Sequence, residues 1–210
     1  MVKNDKWIKK MALKYNMIKP FEPVHVRRIL GLPKKNKEKI NLCHDIRDQI
    51  NGHELGVISF GTSSYGYDMR LSTEFMVMDK RTKIIDPKKS HDVLFKTITI
   101  KKCIEIHPNS LVLGKTIEYF KIPKDVIAIA FGKSTYTRCG IFINITPFEP
   151  EWEGYVTLSI VNTTSALVKV YANEGIAQVL FLGADKVCGV SYSDRNGKYQ
   201  SQKNITFTKI

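Results

Sequence analysis

The chain reads as an all-β domain, a barrel or sandwich opened by one short N-terminal helix. Two observations predict this. Apolar residues recur at helical spacing clearly only near the N-terminus, whereas the rest consists of short β-branched or aromatic runs separated by turn residues. A length of 210 residues suits one domain with a sizeable core, so residues 1–210 are read as a single unit.

The helix has Asp5 as its expected cap. Trp7, Ile8, Met11 and Leu13 to Tyr15 form its apolar stripe, and Pro20 is its expected stop. Strand-like runs follow at Val57 to Phe60, Tyr67 to Leu71, Glu74 to Met78, Thr97 to Ile106, Ser110 to Leu113 and Ile117 to Phe120. They continue at Val126 to Ala130, Ile141 to Ile145, Tyr155 to Val161, Ala166 to Tyr171 and Ile176 to Leu182. Residues 27–56 fit this scheme poorly. They carry Arg27, Arg28, Lys34, Lys35, Lys37, Lys39 and Arg47, with Asp45 to Ile50 able to form a short helix, and read as a basic surface insertion. His25, His44 and His53 lie in or beside it at spacings that match no helical metal pair.

Composition narrows the partners. A net charge of +13 favours anionic partners such as nucleotides or nucleic acid and does not choose between them; nucleic-acid binding by the basic insertion would weaken steeply with salt. Cys43, Cys103, Cys139 and Cys188 are widely separated and form no C-x-x-C pair, which points to neither a zinc site nor a disulfide framework, and to free thiols in a cytoplasmic setting. The N-terminal segment lacks the continuous apolar core of a secretory signal, and no run approaches a membrane span, so no membrane partner is expected.

The segment from Phe131 to Asn162 carries the chemistry. Gly132, Lys133, Ser134, Thr135, Thr137 and Arg138 place hydroxyls and fixed positive charge in one turn, a composition that suits a polyphosphate because hydroxyls donate and Arg offers two parallel bonds. The Walker spacing is absent, and taken alone the turn reads as a solvated hairpin end. An acidic, Pro-bounded turn, Thr146 to Gly154, follows between apolar runs.

Several stretches, in order, resemble the dCTP deaminase family of the dCTP deaminase and dUTPase superfamily: SSYGYDMRLS from Ser63, HPNSLVLGKTIEYFKIPKDV from His107, GKSTYTRCGI from Gly132, TPFEPEWEGYVTL from Thr146, NTTSALVKVYANEGIAQVLFL from Asn162 and YSDRNGKYQSQ from Tyr192. The resemblance implies a distorted β-barrel of the dUTPase-like β-clip type, assembled as a homotrimer, with sites at subunit interfaces and a C-terminal tail, residues 190–210, that closes over the ligand. It implies conversion of dCTP and water to dUTP and ammonia without zinc, with Mg2+ carried on the triphosphate, and dCTP, dUTP or dTTP as ligands. The zinc deaminase constellation of His-x-Glu with Pro-Cys-x-x-Cys is absent. Carried over by position, Lys133, Ser134 and Thr135 would contact phosphates and Arg138 would sit beside the reacting base. Glu149 would lie near the deoxyribose, while Thr146 and Trp152, within the turn to Gly154, would wall the pyrimidine pocket. Tyr192, Lys198 and Gln202 would reach the triphosphate from the tail.

The departure is Ser159. Deaminases of this family place a glutamate after the leucine of that strand, and it moves the proton from the attacking water; here the strand reads Leu158-Ser159. A hydroxyl is neutral near pH 7, and a positioned base contributes about 10²–10⁴-fold. Glu118, Glu149 or Glu151 would have to supply the carboxylate, or Ser159 merely satisfies a buried hydrogen bond. A serine in that strand also resembles the dUTPases, with Glu149 as the carboxylate that orients water toward the α-phosphate, giving dUMP and pyrophosphate. A triphosphate-binding trimer without turnover is the third alternative. In the tail, Asn204 stands near a position that is often glycine in relatives and would tolerate a left-handed conformation.

Overall fold

A computed structural model of the chain describes residues 1–30, 54–79, 82, 84–89 and 94–209. Helix α1, Asp5–Tyr15, is capped by Asn4, whose side chain accepts from the Trp7 N–H at 3.0 Å. Asp5, the expected cap, instead pairs with Lys9 one turn on, at 3.3 Å. The helix ends at Asn16, which takes a left-handed conformation at φ 54°, ahead of the expected stop at Pro20. Ile8 and Ala12 bury its inner face.

Twelve described strands follow: β1 (Ile18–Lys19), β2 (His25–Leu30), β3 (Glu54–Ser63), β4 (Gly66–Met78), β5 (Phe95–Thr99), β6 (Cys103–Ile106), β7 (Ser110–Lys121), β8 (Val126–Gly132), β9 (Ile141–Asn144), β10 (Glu153–Asn162), β11 (Val168–Tyr171) and β12 (Gly175–Gly183). A second helix, α2 (Ser134–Thr137), interrupts them where a plain turn was expected. Strands β2-β3-β4-β7-β10-β9 lie side by side, with β1 on β7, β5 and β12 on β4 and β8 on β12; β11 and β6 form a separate pair. The large sheet curls into a half-barrel, so the molecule is mostly β with two helices.

Strand boundaries depart from the sequence reading for a reason visible in the register. The runs expected separately at Tyr67 to Leu71 and Glu74 to Met78 are one strand, β4, because its pairing with β7 absorbs an irregularity between Leu71 and Phe75. The runs at Ser110 to Leu113 and Ile117 to Phe120 likewise merge into β7, whose pairing with β10 shifts between Tyr155 and Thr157. Conversely, the expected Thr97 to Ile106 run splits, since β5 pairs with β4 while β6 bends away to pair with β11.

The two ends of the basic stretch are paired strands rather than surface loop: β2 runs antiparallel to β3, with Val26 opposite Phe60 and Arg28 opposite Gly56. Its remainder, including the expected Asp45 to Ile50 helix, Cys43, His44 and His53, lies outside the described residues.

Tyr67, Phe75, Phe120, Leu158, Ile160 and Phe181 are wholly buried between the curled layers. Each such side chain contributes about 1.5–3 kcal/mol of burial free energy. The carboxylate of Glu118 lies wholly in this interior, accepting from Arg70 Nε at 2.7 Å, from the Arg70 backbone N–H at 2.9 Å and from the Tyr67 hydroxyl at 3.2 Å. Burial pushes its carboxyl upward in pKa while the guanidinium opposes that shift.

Candidate functional site

The hydroxyl-rich turn is local in origin. Lys133 adopts extended backbone and α2 makes a single helical turn, closed by Thr137 N–H to Lys133 O at 3.0 Å and Arg138 N–H to Ser134 O at 3.1 Å. Buried Tyr136 anchors it, its hydroxyl accepting from the Tyr171 N–H at 2.8 Å. Opposite faces of the turn diverge. The side chains of Ser134, Thr135 and Arg138 are exposed and have no partner among the described residues. Lys133 is folded inward, its ammonium on Asp68 and on Ser59 Oγ at 3.0 Å. His25 Nε2 meets the same Asp68 oxygen at 2.9 Å, and the other carboxylate oxygen is buried without a partner.

A cavity of about 880 Å³ lies elsewhere, against the face of β7 and β10 that points away from the core. Its floor is set by strand alternation: Leu111 and Leu113 of β7, Thr157 and Ser159 of β10 and Asn144 of β9 line it. One wall is the segment from Thr146 to Pro150 together with Trp152. That wall is fixed by mutual Phe148 and Ala128 backbone bonds of 2.8 and 3.0 Å and by Phe148 packing between Phe120 and Trp152, at centroid separations of 5.7 and 5.3 Å.

The tail closes the opposite side. Trp152 Nε1 donates to Tyr199 O at 2.9 Å, and Gln202 donates from its amide to Tyr155 O at 2.9 Å and to Thr157 Oγ1. Gly154, at φ 154°, lets Gln202 pass close by, since a Cβ there would sit 2.9 Å from the Gln202 backbone nitrogen. Tyr192, Tyr199, Gln202, Thr206 and Phe207 all line the cavity, and Phe207 packs on Phe95 at 5.0 Å. Arg195 holds the Glu149 carboxylate in an ion pair that sequence reading did not foresee, although the residue sits inside the YSDRNGKYQSQ stretch. Asp194 accepts from the Ser191 N–H at 2.9 Å, and these bonds, together with Lys124, hold its carboxyl below the ordinary range.

Of the residues singled out in the sequence, Thr146, Glu149, Trp152, Ser159, Tyr192 and Gln202 converge on the cavity. Lys133, Ser134, Thr135, Arg138 and Lys198 are not among its lining; Lys198 points along the tail to Lys209 O at 3.3 Å. Ser159 is half-buried, and its hydroxyl has no hydrogen-bond partner among the described residues, so it does not serve to satisfy a buried group. Glu149 is the acidic residue of the described lining; Glu118 is locked in the core and Glu151 faces Lys124 at 3.6 Å. The left-handed tail residues are Asn196 and Ser201, at φ 51° and 54°, rather than Asn204. Among the described residues no cluster of three or more His, Cys, Asp or Glu side chains is arranged to hold a metal ion, and no helix is long and apolar enough to cross a membrane.

A dCTP deaminase-like family model matches residues 40–183, more than half of the chain. The chain belongs to the dCTP deaminase family. Proteins named dCTP deaminase from Nitrosomonas europaea and Methylococcus capsulatus are 49% and 50% identical to it over 210 and 209 residues, covering 100% and 99% of this chain and 99% and 98% of theirs. In fold, it is similar to the crystal structure of 2′-deoxycytidine 5′-triphosphate deaminase from Agrobacterium tumefaciens, with a TM-score of 0.54 at 14% identity, over 86% of this chain and 47% of that one. Within the single chain, the exposed turn at Ser134 to Arg138 and the cavity floored by Ser159 are separate features.

Proposed function

We propose that the chain binds dCTP in this cavity as a cytoplasmic homotrimer and hydrolyses it to dUTP and ammonia, at a rate limited by Ser159. The observation that carries this reading is the convergence of the Thr146 to Trp152 wall, the β10 floor and the tail on one cavity in a dCTP deaminase family member.

The separation of the turn from the cavity supports assembly. Ile127, Phe131 and Phe142 are exposed apolar side chains on β8 and β9, a face that a second copy would cover. Docking there would bring the unpartnered Ser134, Thr135 and Arg138 of one copy to the cavity of another, where hydroxyls and guanidinium meet the phosphates and base. Magnesium would enter on the triphosphate and offset its charge.

In the reaction, water oxygen bonds to C4 of cytosine and the C4–N4 bond breaks; one water proton ends on N3 and the other on the leaving N4, so that ammonia departs and a 4-oxo base remains. Tyr192 and Gln202 would keep the tail closed and bulk water out. No carboxylate stands on the floor to accept the first proton, because Ser159 offers a neutral hydroxyl and Glu149, on the wall, is turned to Arg195. That same ion pair argues against Glu149 as the base for dUTP cleavage.

Incubating the purified protein with magnesium and either dCTP or dUTP, and resolving dUTP, dUMP, pyrophosphate and ammonia, tests the reading. Slow ammonia release from dCTP with stoichiometric dUTP is expected. Pyrophosphate from dUTP would replace it with the diphosphatase reading, and tight binding without turnover with the binding-only reading.

A further inference from the structure

The cavity floor carries two polar side chains with nothing to bind. Ser159 and Asn144 are register partners on β10 and β9, so they project from the same face of the sheet, with Cβ atoms about 4.5–5.5 Å apart. Both line the cavity, and neither side chain has a hydrogen-bond partner among the described residues. The neighbouring polar groups are already engaged. Thr157 Oγ1 accepts from the Gln202 amide and from the Thr206 N–H at 3.1 Å, Trp152 Nε1 is held by Tyr199 O, and the Tyr192 hydroxyl accepts from the Tyr199 N–H at 2.9 Å. Around the pair the floor is apolar, with Leu111 and Leu113 beside it. An unpaired amide and hydroxyl set side by side in an apolar cavity form a small recognition edge.

We infer that Asn144 and Ser159 together read the pyrimidine edge of the bound nucleotide, and that the pair accepts a 4-oxo base as readily as a 4-amino base. This rests on the pyrimidine nucleotide reading of the cavity above. The chemistry of the pair sets the selectivity. Cytosine presents an amino donor at C4 and an acceptor at N3, whereas uracil presents the reverse pattern. A serine hydroxyl both donates and accepts by rotation, and an asparagine amide offers both functions, so the pair matches either pattern. A carboxylate at position 159 would only accept; it would favour the amino group and oppose the O4 lone pairs of uracil. Replacing it with serine therefore removes discrimination as well as the proton acceptor. The product dUTP is held by the same groups as dCTP, and the site becomes one that retains either pyrimidine deoxynucleoside triphosphate.

Binding of the α,β-imido analogues of dCTP and dUTP, which resist phosphate cleavage, read by rapid mixing before any ammonia is released, with α,β-imido dATP as control and equal magnesium, tests this in three proteins. The unaltered protein is expected to bind the two pyrimidine analogues within about threefold of each other, since no hydrogen bond is lost on exchange. Ser159→Glu is expected to weaken the dUTP analogue relative to the dCTP analogue by at least about tenfold. Asn144→Ala is expected to weaken both by about tenfold while leaving the melting temperature unchanged, as befits an exposed side chain. Tenfold or greater preference for dCTP in the unaltered protein, equal losses in Ser159→Glu, or unchanged affinity in Asn144→Ala would each overturn the inference. Binding of the purine analogue as tight as the pyrimidines, or of neither pyrimidine, would instead remove the nucleotide reading beneath it.

Discussion

The turn from Lys133 to Arg138 and the cavity floor from Asn144 to Ser159 are close in sequence and differ in almost every physical respect. The turn is made by local hydrogen bonds around one anchored tyrosine, and it presents exposed, unpartnered hydroxyls and a guanidinium. The floor is made by pairing across three strands, β7, β9 and β10, is bordered by the tail, and owes its character to what does not point into it. One half is equipped to hold anions. The other is equipped to hold a flat ring, with no carboxylate on its floor. Binding and proton transfer therefore depend on different parts of the molecule and should separate experimentally.

The largest expected effect concerns the frame beneath the floor. Glu118→Leu leaves Arg70 buried without its partner and should cost about 3–5 kcal/mol, seen as a fall in thermal unfolding midpoint. A change below about 1 kcal/mol would mean that the pair does not support the β4 to β7 core.

Next comes the turn. Arg138→Ala should weaken triphosphate binding by about ten- to a hundredfold, the worth of charge-assisted hydrogen bonds, with no loss of melting temperature because the side chain touches nothing else. Unchanged affinity would sever the turn from the cavity.

Smaller effects concern the tail. Gly154→Val should loosen it by placing a side chain against Gln202, read as a change in Trp152 fluorescence, since the indole donates to Tyr199. The carboxyl of Asp194 is held below its ordinary 3.8, so its contribution to tail docking is complete above that pH and is lost as pH falls through the lowered value. A Trp152 signal constant from neutrality to about pH 4 and declining below it is expected; a transition near neutrality would point to another group.

The difference between the two regions also explains what sequence could reveal. The helix, the order of strands and the polar turn were legible because they are local patterns, and motif order carried the family. Caps and boundaries were misplaced by competing local chemistry, as when Asn4 rather than Asp5 closed the helix and a bulge joined two runs into β4. Glu149, Thr146 and Trp152 could be named without knowing that Arg195 holds the first. Asn144 gave no signal, because its importance lies in standing opposite Ser159 across a strand pair. The absence of a hydrogen bond at Ser159 is likewise invisible until the surrounding groups are placed.

Ammonia release from dCTP by Ser159→Glu, measured beside the unaltered protein at saturating substrate and magnesium, addresses the missing proton acceptor most directly. A rise of at least about tenfold is expected, within the range a positioned base contributes. No rise, with the fold and dCTP binding intact, would contradict the account.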